Sequence, residues 1–180
     1  MPVKSVCVYC GSRFGAMPAY TEAAKALGIG LAEHNLRLVY GAGDVGLMGT
    51  VARAAQAAGG TTFGVIPEHL ERREVGKSDL TTYVVTETMH ERKKVMLYNA
   101  DAVVVLPGGP GSLDELFEVL TWRQLGLHNK PIVILNTDGY WEKLRALLDH
   151  VVEQEFADTS LNQFLTWVET PAQVLEVLHS

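Results

Sequence analysis

Cysteine is nearly absent from this chain of 180 residues, which carries only Cys7 and Cys10. No disulfide framework is available, so stability has to come from a packed core. The two thiols form a C-x-x-C pair, but neither chemistry associated with that spacing fits. A redox pair sits at a helix N-terminus, whereas Val3 to Tyr9 has the pattern of a strand, on which residues three apart point to opposite faces. A zinc site needs further ligands, and the six histidines stand singly at 34, 69, 90, 128, 150 and 179. We therefore expect small packed residues at 7 and 10, and no metal. Basic charge is also scarce: 15 Lys and Arg against 21 Asp and Glu leave a net charge of −6. That argues against a nucleic-acid footprint or an anionic membrane surface, so an anionic partner has to be held locally. Apolar runs of the ~20 residues a membrane span requires are missing. The opening Met-Pro-Val-Lys-Ser-Val enters a strand at once, which predicts no signal or transit peptide and a cytoplasmic protein. Repeats, low-complexity tracts and linkers are lacking too.

What is present suits one enzyme-sized domain over residues 1–180. Hydrophobic residues make up 47% of the chain. Apolar strand-like runs at 5–9, 36–40, 62–66, 102–106 and 131–135 alternate with helical patterns near 18–33, 47–58, 89–100 and 112–125. A further helix is expected from Tyr140 to Val152, then a closing strand at Leu165–Val168 and a helix at Pro171–Leu178, with Pro171 suited to a first helical turn. Short strands alternating with helices predict an α/β fold: a Rossmann-like, doubly wound parallel sheet with helices on both faces.

The most informative stretch is Ala102-Val-Val-Val-Leu-Pro-Gly-Gly-Pro-Gly-Ser-Leu-Asp-Glu115, where a strand runs through glycines into a helix. Glycines at 108, 109 and 111 allow close approach of an anion, and a helix opening near Ser112 offers unpaired N–H groups and a positive dipole end. A competing interpretation is a capping box. Ser112 and Glu115 have the S-x-x-E spacing in which both side chains satisfy the helix's own first donors. It explains the pair but not three glycines in the four positions before Ser112. A carboxylate at the mouth of an anion site is repulsive unless it has another task.

Other segments belong to the same edge of the sheet. Gly41-Ala-Gly-Asp-Val-Gly46 matches G-x-G-x-x-G, with Glu68 near the position of a ribose-binding acid, the best case for a dinucleotide enzyme. A strand and helix precede it, however, and Pro67 disturbs the strand end, so we take it as another close-approach turn. In Met89-His-Glu-Arg-Lys-Lys-Val-Met96, Arg92 falls on the apolar stripe of Met89 and Met96. Either it snorkels to water, or a carboxylate holds its guanidinium and presents it to a phosphate or sugar. The polar segment 68–79 reads as a surface loop or a rim at the ligand edge.

Together these segments resemble the LOG (Lonely Guy) family, cytokinin-activating phosphoribohydrolases often mislabelled as lysine decarboxylases. The family's P-G-G-x-G-T-x-x-E is similar to Pro107–Glu115 and its M-H-x-R-K-x-x-M to Met89–Met96. Cys10-Gly-Ser12, Tyr40-Gly-Ala-Gly, Gly46-Leu-Met-Gly49, Gly64-Val-Ile-Pro67 and Thr121 to Pro131 match as well, so the resemblance runs from about residue 5 to 155. Departures are Ser112 for the usual threonine, Ala42 within a run usually all glycine, and Arg13 where a second serine is common.

The resemblance implies hydrolysis of the N-glycosidic bond of N6-substituted adenosine 5′-monophosphates to the free base and ribose 5-phosphate, with AMP a simpler substrate. It implies Arg92 and Glu115 as catalytic residues. Gly109, Pro110, Gly111 and Ser112 would cradle the 5′-phosphate, followed by Leu113 and Asp114, while Lys93, Glu74 and Thr121 match family substrate contacts. No metal or organic cofactor is required, and the resemblance implies a homodimer. Nothing in the sequence suggests an aldimine lysine with its pyridoxal phosphate cradle. Two rivals stay open: an NAD(P)-dependent oxidoreductase using Gly41–Gly46, and a non-catalytic nucleotide or cofactor carrier.

Overall fold

In a computed structural model, which describes residues 2–71 and 79–179, seven strands form one sheet in the order β4-β3-β2-β1-β5-β6-β7, every neighbouring pair parallel. The strands are β1 (Ser5–Tyr9), β2 (Arg37–Tyr40), β3 (Thr62–Pro67), β4 (Thr82–Thr86), β5 (Ala102–Val105), β6 (Ile132–Leu135) and β7 (Leu165–Val168). The central β1 and β5 are Val-rich and buried along their whole length, as a parallel sheet covered on both sides requires. Alternation along β1 splits the core in two. Val6 and Val8 pack with α1 (Pro18–Glu33), α2 (Gly46–Ala57) and α8 (Pro171–His179) on one face. On the other, Cys7 and Tyr9 meet α4 (Met89–Tyr98), α5 (Pro110–Gln124) and α6 (Glu142–Glu153). Cys7 and Cys10 accordingly lie in different cores, both buried and free. Burial pushes both thiols above their usual range, which keeps them protonated and inert.

The expected alternation agrees with the structure to within about two residues at each end except in two places. Edge strand β4 was not expected, because its five residues are half exposed and follow a highly charged stretch. Short helix α3 (Glu68–Glu71) opens the polar segment read as a loop or rim, and α7 (Ser160–Gln163) falls between the expected helix and closing strand, where no element was assigned. Among the described residues no helix is long and apolar enough to cross a membrane.

Strand order fixes where a ligand can enter. From β1 the chain winds outward through β2, β3 and β4, then returns to the other side of β1 as β5 and continues to β6 and β7. The connections leaving β1 and β5 therefore diverge, and a crevice opens beyond their carboxyl ends, where open α/β sheets bind ligands. Cys10–Ala16 leaves one strand there and Leu106–Gly109 the other.

Candidate active site

Helix α5 begins at Pro110, with Gly109 as its N-cap and no capping side chain. This corrects the helix start expected near Ser112 and removes the capping-box explanation of Ser112 and Glu115. Pro110 at the first helical position is already fixed near helical φ and gives up an N–H that would have been unpaired. Ser112 instead turns inward and is buried. None of Gly108, Gly109 and Gly111 adopts positive φ, so the turn uses glycine for space and not for conformation. At Gly108 the chain itself takes the space, since a Cβ there would stand 2.1 Å from Ser112 Oγ. At Gly109 and Gly111 a Cβ would meet nothing within 4 Å. The openness lies beside uncapped N–H groups at the positive end of a helix, the requirements of an anion cradle. Two contacts fix the turn: Gly11 N–H donates to Pro107 O at 3.0 Å, and Tyr140 Oη donates to Gly108 O at 2.6 Å.

Arg92 comes from α4, which opens with a complete capping box between Thr88 and Glu91. It is only 5% exposed, which rules out the snorkelling arrangement. Among the described residues no carboxylate holds it either. Nε donates to Val65 O at 3.0 Å and Nη2 to Gly41 O at 2.6 Å, both at the carboxyl ends of neighbouring strands. Charge-assisted bonds to carbonyls satisfy part of the guanidinium without neutralising it, so its positive field and remaining donors stay available. Gly41 exists for this contact: a Cβ there would lie 2.0 Å from Arg92 Nη2. The same packing weakens the dinucleotide interpretation of Gly41–Gly46, because the guanidinium occupies the ground that a pyrophosphate would need beside its first glycine.

Glu115 stands one turn into α5. Burial pushes its carboxyl up to about 7, the nearby Arg92 charge opposes the shift, and Asp114 adds to it. A group poised there can exchange a proton near neutral pH. Lys93, next to Arg92 in sequence, points elsewhere. Its buried ammonium pairs with Asp114 at 3.0 Å and Glu118 at 2.9 Å, tying α4 to α5. Burial alone would lower its pKa, but hydrogen bonds to Glu118 and Asp114 outweigh that and raise it.

These parts line one cavity of about 740 Å³ at the crevice. Gly109, Pro110, Gly111, Ser112, Asp114, Glu115 and Arg92 share it, so the two expected catalytic residues and most of the expected cradle come together. Lys93 reaches it only through Asp114, Leu113 packs partly into the core, and Thr121 is exposed on α5 outside the walls. Glu74 lies outside the described residues. The sequence reading missed Phe14, Tyr20 and Tyr140, which supply aromatic walls. Tyr140 follows the carboxyl end of β6, and that position was the available signal.

With this geometry in hand, comparisons place the chain among known proteins. A family model described as possible lysine decarboxylase matches residues 48–178. A probable cytokinin riboside 5′-monophosphate phosphoribohydrolase of Oryza sativa subsp. japonica is 43% identical over 98% of this chain and 77% of its own length. A cytokinin riboside 5′-monophosphate phosphoribohydrolase of Arabidopsis thaliana is 46% identical over 85% of this chain and 70% of its own. Among solved structures, the molybdenum cofactor binding protein of Rippkaea orientalis superposes with a TM-score of 0.73 at 22% identity, covering 99% of this chain and 96% of that one. The molybdenum cofactor carrier protein of Chlamydomonas reinhardtii gives 0.72 at 21%, covering 97% and 95%. At those identities the solved structures show the shared fold alone. Matches along nearly the whole length at 40% identity and above, together with the family model, carry more: the chain belongs to the LOG family.

Proposed function

We propose that this protein hydrolyses the N-glycosidic bond of N6-substituted adenosine 5′-monophosphates, releasing the free base and ribose 5-phosphate, with AMP as a simpler substrate. The observation that carries the proposal is the presence of Arg92 and Glu115 in the same cavity as the open Gly109–Ser112 turn. The relatives named as phosphoribohydrolases support the same reaction.

In this reading the first turn of α5, from Gly109 through Leu113 and Asp114, receives the 5′-phosphate and directs the ribose toward Glu115. Bond cleavage builds positive charge on the ribose. An ionised carboxylate beside it is worth more in the transition state than in the ground state, and can orient or deprotonate the attacking water. Water adds to the anomeric carbon, the electron pair of the C–N bond leaves with the base, and the water's proton is taken up as the base departs. Arg92, immobilised by two carbonyls, orients the sugar and keeps part of the Glu115 population ionised. Lys93 holds Asp114 and Glu118 in place from beneath. Glu74 and Thr121 are proposed as further substrate contacts. We also propose a homodimer working in the cytoplasm.

The 5′-phosphate decides between this and other uses of the cavity. Incubation with pure protein followed by chromatography should show AMP and isopentenyladenosine monophosphate consumed and the matching nucleosides untouched, because amides at a helix N-terminus bind a dianion far better than a hydroxyl. Comparable kcat/KM for AMP and adenosine would refute the cradle. AMP bound but not consumed would favour a carrier.

A further inference from the structure

Among the described residues two arginines line the cavity, and the mechanism above uses one. Arg92 is committed to the carbonyls of Val65 and Gly41. Arg13 is exposed and has no hydrogen bond or ion pair among the described residues. Its backbone, by contrast, is tightly set. Gly11 accepts from Met48 N–H at 3.2 Å and donates to Pro107 O at 3.0 Å, so the loop is tied to α2 on one side and to the phosphate turn on the other. At Gly46, in the left-handed region at φ +61, a Cβ would stand 2.3 Å from Arg13 N, so α2 begins directly against this peptide. A Cβ on Gly11 would lie 3.3 Å from Gly108 Cα, which puts the Arg13 loop against the turn that precedes the cradle.

A cation with no partner among the described residues, rooted in a fixed loop beside a concave, open amide cradle, calls for an anion. Of the two acids lining the cavity among the described residues, Asp114 is already bound to Lys93 and Glu115 is assigned to the reaction. The cradle itself is made of neutral N–H groups and a partial helix charge, too little to balance a phosphate dianion. The guanidinium of Arg13 is a planar fork suited to phosphate oxygens.

We propose that Arg13 is a substrate-specificity residue whose guanidinium closes the 5′-phosphate cradle from the β1 side, opposite the first turn of α5. The proposal rests on the phosphoribohydrolase reading of the site. Arg13 sets affinity for the phosphorylated substrate and stays away from the scissile bond, so it acts on KM and leaves kcat nearly unchanged.

Calorimetric titration with ribose 5-phosphate tests this on the wild type, Arg13→Ser and Arg13→Lys, with thermal melts to verify folding. Arg13→Ser should bind about tenfold more weakly, the loss expected for one partly exposed charge-assisted contact, and Arg13→Lys should recover most of the affinity. KM for AMP should rise by a similar factor in Arg13→Ser with kcat within about twofold. Equal affinities in wild type and Arg13→Ser, failure of the wild type to bind ribose 5-phosphate, or a fall in kcat matching the rise in KM would each overturn the assignment. A wild type that binds ribose 5-phosphate but leaves AMP intact would sink the hydrolase reading while leaving Arg13 as a phosphate ligand.

Discussion

At the scale of single residues, the site depends on two charges held against the preference of a buried environment. Glu115 is raised to about 7 by burial despite the Arg92 charge nearby. A carboxyl whose folded pKa exceeds its unfolded value contributes most to stability when protonated, below the ordinary carboxylate range, and that contribution is lost as pH climbs through about 7. Glu115→Gln keeps the neutral shape and, since α5 has no side-chain cap for it to disturb, removes no cap. Thermal melts should show the Gln variant gaining stability over wild type as pH rises from 5 to 8, by about 1–3 kcal/mol at the upper end. Turnover should nevertheless collapse, and wild-type kcat/KM should climb with pH through about 7. A Gln variant that turns over normally, or a stability difference flat with pH, would remove Glu115 from the chemistry. That both residues belong at one crevice was expected from the sequence and they do line one cavity, but how Arg92 is held was not legible there. Its partners are the carbonyls of Val65 and Gly41, and a carbonyl leaves no mark on residue type. Gly41 was visible only as part of a glycine pattern with another familiar meaning.

At the scale of elements, the turn from β5 into α5 shows that adjacent glycines can answer to different forces. Gly108 is confined by its own chain and Gly109 by nothing, although they are neighbours in the motif. Gly108→Ala should cost stability, because the new methyl runs into the buried Ser112 Oγ and one of them has to move. Gly109→Ala, at φ −98, requires no strained backbone and should leave the melting temperature almost unchanged while raising KM for AMP at least tenfold. Denaturation and steady-state kinetics on the pair separate the two roles, and equal effects on both quantities would contradict the division. The sequence signalled the turn but misplaced the helix start by two residues. S-x-x-E matched a cap, and Pro110, the stronger marker of a first turn, was passed over. Edge strand β4 escaped for a different reason. With one face only half covered, it lacks the unbroken apolar run that identifies β1 and β5.

For the whole molecule, the alternation of strands and helices was enough to predict a doubly wound parallel sheet, but not the order of its strands. That order brings Cys10–Ala16 next to Pro107–Gly111 across nearly a hundred residues of chain, and it arises from long-range pairing that no local pattern records. The remaining question at this scale is what covers the outside of α5. The apolar residues of α5 divide: Leu116, Val119 and Leu120 are buried in the chain's own core, while Leu113 and Trp122 are only partly buried there and Phe117 remains 38% exposed. Phe117 shares a helix face with Asp114 and Thr121, at spacings of three and four. Asp114 lines the cavity, so this face leads from the cavity mouth to the surface. A second copy seated on Phe117 and Thr121 would stand at the edge of the site. Two-fold pairing is the commonest way to bury such a face. Light scattering at micromolar concentration should therefore report twice the 19.7 kDa of one chain. Phe117→Glu should yield a folded monomer with much reduced turnover, since a buried charge opposite its own symmetry mate is repulsive. A wild-type monomer with full activity would defeat the dimer and leave Phe117 an ordinary exposed aromatic.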